Sequence, residues 1–320
     1  MPLSILLSDS NWDKPFFKRL APNDTGEAPG HQGGMVIPKD LRQFFPGLHG
    51  ATSALVPTLS HRIVAELFVE SRFLATVNTR YQYQTWGGAR SPESRLTDEL
   101  GLIRNRAHGG DILLIQRSME DLERFRLILV RQTSSDFPEI NRLASGRRWG
   151  ALSRALPLSD PDLLQAEQEQ RQRETEPLVL IEPDPPVVES STRRIARSVA
   201  FRRRVLELYD GRCCICGSGL RTPDSRLECD AAHIVPRSRA GADDARNGLA
   251  LCKTHHWAFD QGLFGVDGSR RVIVPNSAHR IAQNHSLSAV AGANILEARE
   301  SGFAASDQAL QWHRSYVLLQ

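Results

Sequence analysis

Two closely spaced ligand pairs constrain this chain more than any other feature. They are Cys213-x2-Cys216 and, 36 residues after Cys216, Cys252-x2-His255. A two-residue gap lets one turn of chain aim two ligands at one tetrahedral ion, and two such turns complete a Cys3His set. Gly211 and Gly217 flank the first turn, as a tight knuckle needs. A second group of polar residues, Asp230, His233, Asn247, His256 and Asp260, is threaded through and just beyond the same window. His255 and His256 are neighbours, so an exchange of their roles is the competing assignment.

All five cysteines (213, 214, 216, 229 and 252) fall in this one stretch. A secreted disulfide framework spreads its cysteines and uses an even number, so an intracellular metal site is the expectation. Cys214 and Cys229 read as small core residues, although either can replace a ligand. The start MPLSILLSDSNW has no basic region ahead of its few apolar residues, unlike a signal peptide, and no apolar run has the length of a membrane span. A cytoplasmic protein without a membrane segment is expected.

At 320 residues the chain has room for two ordinary domains, and its charge pattern places the division. Residues 158–190 carry 2 basic against 9 acidic side chains, whereas 193–256 carry 13 against 7. Segments of opposite sign suggest different tasks. Residues 1–155 show short β-rich runs at 61–67, 73–78, 111–116 and 126–131, with short helices expected at 39–45 and 119–125. That pattern suits a small barrel or sandwich. Residues 156–192 read as an acidic linker: a polar, helical 162–176, then EPDPPVVESS, whose clustered prolines favour an extended strut. Residues 193–320 form the second domain. It opens on a basic amphipathic helix at 198–209, carries Asp230–His233 near the end of a strand, LECDAAHIV, and closes on a helical tail, 285–320.

The segments AAHIVPRS, NGLALCKTHH and FDQG resemble the HNH, or ββα-metal, nuclease family. The resemblance implies an α+β fold with a structural Zn2+ on Cys213, Cys216, Cys252 and His255. It also implies a catalytic centre at His233, Asn247 and His256. Hydrolysing a phosphodiester needs a base for the attacking water and a Lewis acid for the charge that builds on the phosphate. His233 is the expected base, and a single divalent cation such as Mg2+ the expected Lewis acid, held by His256. Asp260, four residues on along the same helical face, can reach that ion, and Asp230 is the other carboxylate candidate. Many family members carry an acidic residue immediately before the base. Here that position is Ala232, which leaves the choice between Asp230 and Asp260 open. Asn247 either orients the base and its loop or helps with the metal. Arg237 follows the base and suits a phosphate contact.

In the N-terminal part, KRLAPNDTG, GHQ, Ile37-Pro38, Phe45-Pro46 and Thr79-Arg80 leading to Trp86-Gly87 resemble the effector domain of EcoRII-type restriction endonucleases. The resemblance implies a B3-like pseudobarrel that grips double-stranded DNA with two arms. Asn23, Asp24, His31 and Gln32 would belong to one arm, and Arg80, Tyr81, Gln82, Tyr83 and Gln84 to the other. Arg, Gln and Asn side chains can read base edges in the major groove. The whole chain then reads as a sequence-specific DNA endonuclease of restriction type, acting as a homodimer on DNA, with a cognate DNA methyltransferase as a further partner. The alternatives are a nuclease that acts on modified DNA and a non-catalytic, zinc-containing DNA-binding regulator.

Overall fold

A computed structural model describes the chain except for residues 1, 10, 26, 28–33, 86–90, 154–155, 183–190, 224–226 and 320. It divides into two compact units, Met1–Asp162 and Leu163–Gln320. No helix among the described residues is long and apolar enough to cross a membrane.

The first unit is built on strands β1 (Phe16–Arg19), β2 (Met35–Ile37), β3 (Thr58–Val69), β4 (Arg72–Gln84), β5 (Glu93–Leu96), β6 (Ile112–Arg117), β7 (Arg124–Val130) and β8 (Trp149–Ala151). They form one eight-stranded sheet in the order β2-β5-β4-β3-β7-β6-β1-β8. Its neighbours run antiparallel except β3 and β7. One sheet of eight strands is the β-rich architecture expected for this part of the chain. Side chains alternate across a strand, so a sheet covered on both faces needs apolar residues at successive positions. The run ILLI in β6 meets that need. Leu113 and Ile115 enter one core with Phe16, Phe45 and Phe125, while Ile112 and Leu114 enter the other with Phe17, Leu6 and Ile140. Phe45 stacks on both Tyr81 and Phe125, with ring centroids 4.7 and 5.0 Å apart. Short helices α1 (Leu3–Leu7), α2 (Pro22–Thr25), α3 (Gly101–Arg104) and α4 (Phe137–Ala144) complete the unit.

The expected strands are present, and the helix expected at 39–45 is a 3-10 turn, Lys39–Phe44. The helix expected at 119–125 does not form. Ser118 Oγ accepts from the amides of Glu120 and Asp121, closing a turn, and β7 starts at Arg124. Side chains that bond their own backbone compete with helix in this way.

The second unit contains most of α5 (Asp160–Glu174), then α6 (Ser191–Leu208), β9 (Asp230–His233), β10 (Gly248–Leu251), α7 (Lys253–Asp260), β11 (Gly265–Val266) and β12 (Val272–Ile273). Helices α8 (Asn276–His279), α9 (His285–Ser288) and α10 (Asp307–Tyr316) follow. The tail is therefore helical only in part, and Gly292 at φ +78° marks one of the interruptions. The acidic carboxylates of α5 are used locally: Glu174 binds Arg204 at 2.8 Å, Glu169 binds Arg193 at 3.0 Å, and Glu167 pairs with Arg203. The proline-rich part of the linker, 183–190, lies outside the described residues.

His313 on α10 stacks on Phe259 with centroids 3.7 Å apart, and its Nε2 lies 3.1 Å from the Phe259 carbonyl. Burial pulls its pKa down to about 4. The folded unit thus holds a neutral imidazole that the unfolded chain protonates below about pH 6.5. This stability is complete above that pH and is lost as pH falls through about 4, by roughly 3 kcal/mol at most. Melting temperatures measured from pH 7 to 4 should fall less steeply for His313→Gln than for the wild type.

Candidate active site

The four residues expected to hold zinc converge as their spacing predicts. The four donor atoms of Cys213, Cys216, Cys252 and His255 lie within 4.8 Å of one another. His255 Nδ1 is 3.4 Å from Cys213 Sγ and 3.2 Å from Cys252 Sγ. A tetrahedral ion with Zn–S near 2.3 Å and Zn–N near 2.1 Å places such atoms about 3.5 Å apart, so the set fits zinc. Cys213 turns back on itself through the Gly217 amide, which bonds its carbonyl at 2.8 Å, and Gly217 takes φ +73°. Burial pushes the Cys213 thiol up to about 12, so a thiolate there needs a cation beside it. Burial also lowers His255, which favours the neutral imidazole that ligation requires. Cys214 and Cys229 are core residues, outside the four-ligand group.

Strands β9 and β10 pair antiparallel, with His233 opposite Gly248, and α7 follows directly. This hairpin and helix carry the second set of residues. His233 Nε2 lies 2.9 Å from Asp243 Oδ1, and its ring stacks on Phe201 at 3.9 Å between centroids and 16° between planes. Asn247 is fully buried, and every polar atom of its carboxamide is spent on the chain. Its Oδ1 accepts from Val235 N, and its Nδ2 donates to the carbonyls of Val235 and Ala242. Asn247 therefore clamps the loop that follows His233. Gly241 allows the same close approach, since a Cβ there would sit 1.8 Å from the Val235 carbonyl oxygen.

His256 shares α7 with His255 but faces another way, and its Nε2 is 3.7 Å from Asp260 Oδ2. Both side chains reach solvent, at 27% and 54% exposure, so two donor atoms on one helical face can bind one hydrated cation. Asp230 does not suit that task. One of its oxygens takes Arg202 Nε at 2.6 Å and the other Lys253 Nζ at 2.6 Å. Burial pushes this carboxyl up, but these two cations hold it below its ordinary value. In this structure Asp230 is an ion-paired anchor between α6 and α7, whereas Asp260 has the open position beside His256.

Residues 213–267 match a family model described as HNH endonuclease. This segment is similar to the HNH endonuclease family. No curated protein matches the chain. Among solved structures, the chain is similar to a modification dependent TagI restriction endonuclease at 13% identity and a TM-score of 0.33, over 90% of this chain and 94% of that one. It is also similar to the B3 domain of UbaLAI restriction endonuclease with cognate DNA at 21% identity and a TM-score of 0.29, over 46% and 84% respectively.

Around the HNH domain, sequence reasoning missed Asp243, Phe201, Arg202 and Lys253. The doublet Asp243-Asp244 was the available signal, since it lies between the base and Asn247. Arg237 is committed to the loop: its Nη1 donates to the Gly241 carbonyl at 2.6 Å, and its Nε is 3.6 Å from Asp243.

In the first unit the candidate DNA contacts separate. Asp24 is buried, bonds Lys18 Nζ at 2.6 Å and accepts from the amides of Ala21 and Val36. Tyr81 is buried against Phe45. Both are corrected from DNA contacts to parts of the fold, because neither has surface to offer. Gln82 is also nearly covered, at 9% exposure. Asn23 is exposed beside an open groove lined by Arg19, Lys39, Arg148 and Trp149. Arg80 is half-buried and bonds Asp98 at 3.2 Å, Tyr83 lies under the Arg42 guanidinium, and Gln84 is half-buried. His31 and Gln32 lie outside the described residues.

Two outcomes follow. Metal analysis should find about one tightly held zinc per chain, and Cys252→Ala should lose it together with the folded second unit. Asp24→Ala should destabilise the first unit by about 3–5 kcal/mol, by leaving the Lys18 ammonium buried without its partner; denaturant titration reads that loss.

Proposed function

We propose that the chain is a DNA endonuclease of restriction type, with a reader in the first unit and the HNH domain as its cutter. One observation carries the chemistry: His255 is drawn into the cysteine cluster while its neighbour His256 meets Asp260 at the surface. A structural knuckle has no use for His256 or His233, so their arrangement supports catalysis over a purely structural zinc module.

His233 acts as general base. Its Nε2–H is held by Asp243, so the lone pair on Nδ1 is the one that takes the proton from water. The resulting hydroxide attacks phosphorus, and the phosphodiester bond to the leaving oxygen breaks. His256 and Asp260 would hold a divalent cation such as Mg2+, which supplies positive charge for the phosphate and the departing oxygen. Asn247 keeps the loop behind the base in register and touches no substrate.

Recognition falls to the first unit. Its groove beside Asn23, with Lys39, Arg148 and Trp149, has the charge and aromatic surface to meet a DNA backbone. One chain carries one HNH centre, so a double-strand cut calls for two copies on DNA, related by two-fold symmetry. Selection of particular DNA sites implies a methyltransferase that protects the host's own.

Purified protein with Mg2+ should cleave plasmid DNA. His233→Ala and His256→Ala should each reduce the rate by about 10²-fold or more while DNA binding persists. Unaltered cleavage in either variant would overturn its assigned role. Parallel digestion of methylated and unmethylated plasmid decides whether modification blocks or triggers the cut.

A further inference from the structure

We infer that Asp243 is the positioning residue for the general base, fixing both the tautomer and the plane of His233. The inference rests on the proposed role of His233 and adds a residue that the catalytic set did not contain. Asp243 is 4% exposed, and its Oδ1 sits 2.9 Å from His233 Nε2. A buried carboxylate can only accept, so the proton resides on Nε2 and the lone pair on Nδ1. The hydrogen bond to Asp243 resists turning of the ring, and the Phe201 face stacked at 3.9 Å resists its tilting. When Nδ1 takes a proton, the imidazolium is formed beside an anion.

The carboxylate is kept charged for this purpose. The groups that face it are His233 from β9, Arg197 from α6 at 3.6 Å and Arg237 at 3.6 Å. Burial alone would push its pKa up, but the His233 hydrogen bond and the two guanidiniums hold it below its ordinary value.

The mount of Asp243 is equally specified. Asn247 ties the loop to Val235 and Ala242 on one side. On the other side, Gln170 of α5 reaches the loop backbone: with its carboxamide turned so that the nitrogen faces the Asp243 carbonyl at 2.7 Å, its oxygen accepts from the Ala245 amide at 3.1 Å. Arg246 binds the carbonyls of Arg173 and Glu176, just past that contact, each at 3.0 Å. The acidic helix therefore holds the loop that holds the base.

Cleavage by Asp243→Asn, measured on plasmid DNA with Mg2+ across pH 5 to 9, tests this. The rate should fall by about 10²–10⁴-fold, zinc content and DNA affinity should stay at wild-type levels, and the acid limb of the pH profile should move to lower pH. A wild-type rate with an unmoved profile overturns the inference. His233→Ala run alongside separates the two claims: if that variant also cuts normally, the base assignment itself has failed. Nitrogen NMR of the His233 ring in the wild-type protein covers a variant that does not fold. Protonated Nε2 with bare Nδ1 supports the inference, and the opposite tautomer overturns it.

Discussion

Three thiols and one imidazole meet in the second unit, where one metal ion could tie its parts together. Cys213 and Cys216 sit in the turn beyond α6, while Cys252 and His255 sit where β10 passes into α7. One ion on these four residues would set where α7 begins relative to the hairpin in front of it. An α-helix turns about 100° per residue, so fixing His255 inward also fixes where His256 points. The proposed active centre would take its orientation from a metal site that performs no chemistry.

The rest of the centre is backbone held by side chains that do not react. Asn247 and Gly241 close the loop after β9, and Asp230 fastens α7 to α6 through Lys253 and Arg202. Phe201 and Asp243 then confine one imidazole from its face and from its edge. A shift of an ångström in a base costs orders of magnitude in rate, so this density of support around His233 is what a catalytic role demands.

Much of this was legible in the sequence, because zinc ligands are bound by local spacing that two turns of chain must satisfy. Spacing put Cys213, Cys216, Cys252 and His255 forward on that ground, while the exchange of His255 with His256 stayed open until the structure drew His255 into the cluster. The partner of His233 could not: Asp243 reaches it through a loop whose path depends on Asn247, a residue that has no periodicity. Asp230 misled for a related reason, since a carboxylate beside a base looks like a ligand until Arg202 and Lys253 are seen on it. The long strands β3, β4, β6 and β7 announced themselves as apolar runs, while β2 and β8, at three residues each, are too short to carry a pattern. Asp24 and Tyr81 looked like surface reading groups because polar and aromatic side chains serve a buried ion pair and a stacked core equally well.

Neighbouring histidines serving two different metals is the central claim, and anomalous diffraction from crystals of the zinc-loaded protein soaked in Mn2+ tests it most directly. The account predicts a zinc signal enclosed by Cys213, Cys216, Cys252 and His255, and a separate manganese signal against His256 and Asp260. Manganese bound at Asp230 instead, or zinc bound by His256 in place of His255, would contradict it.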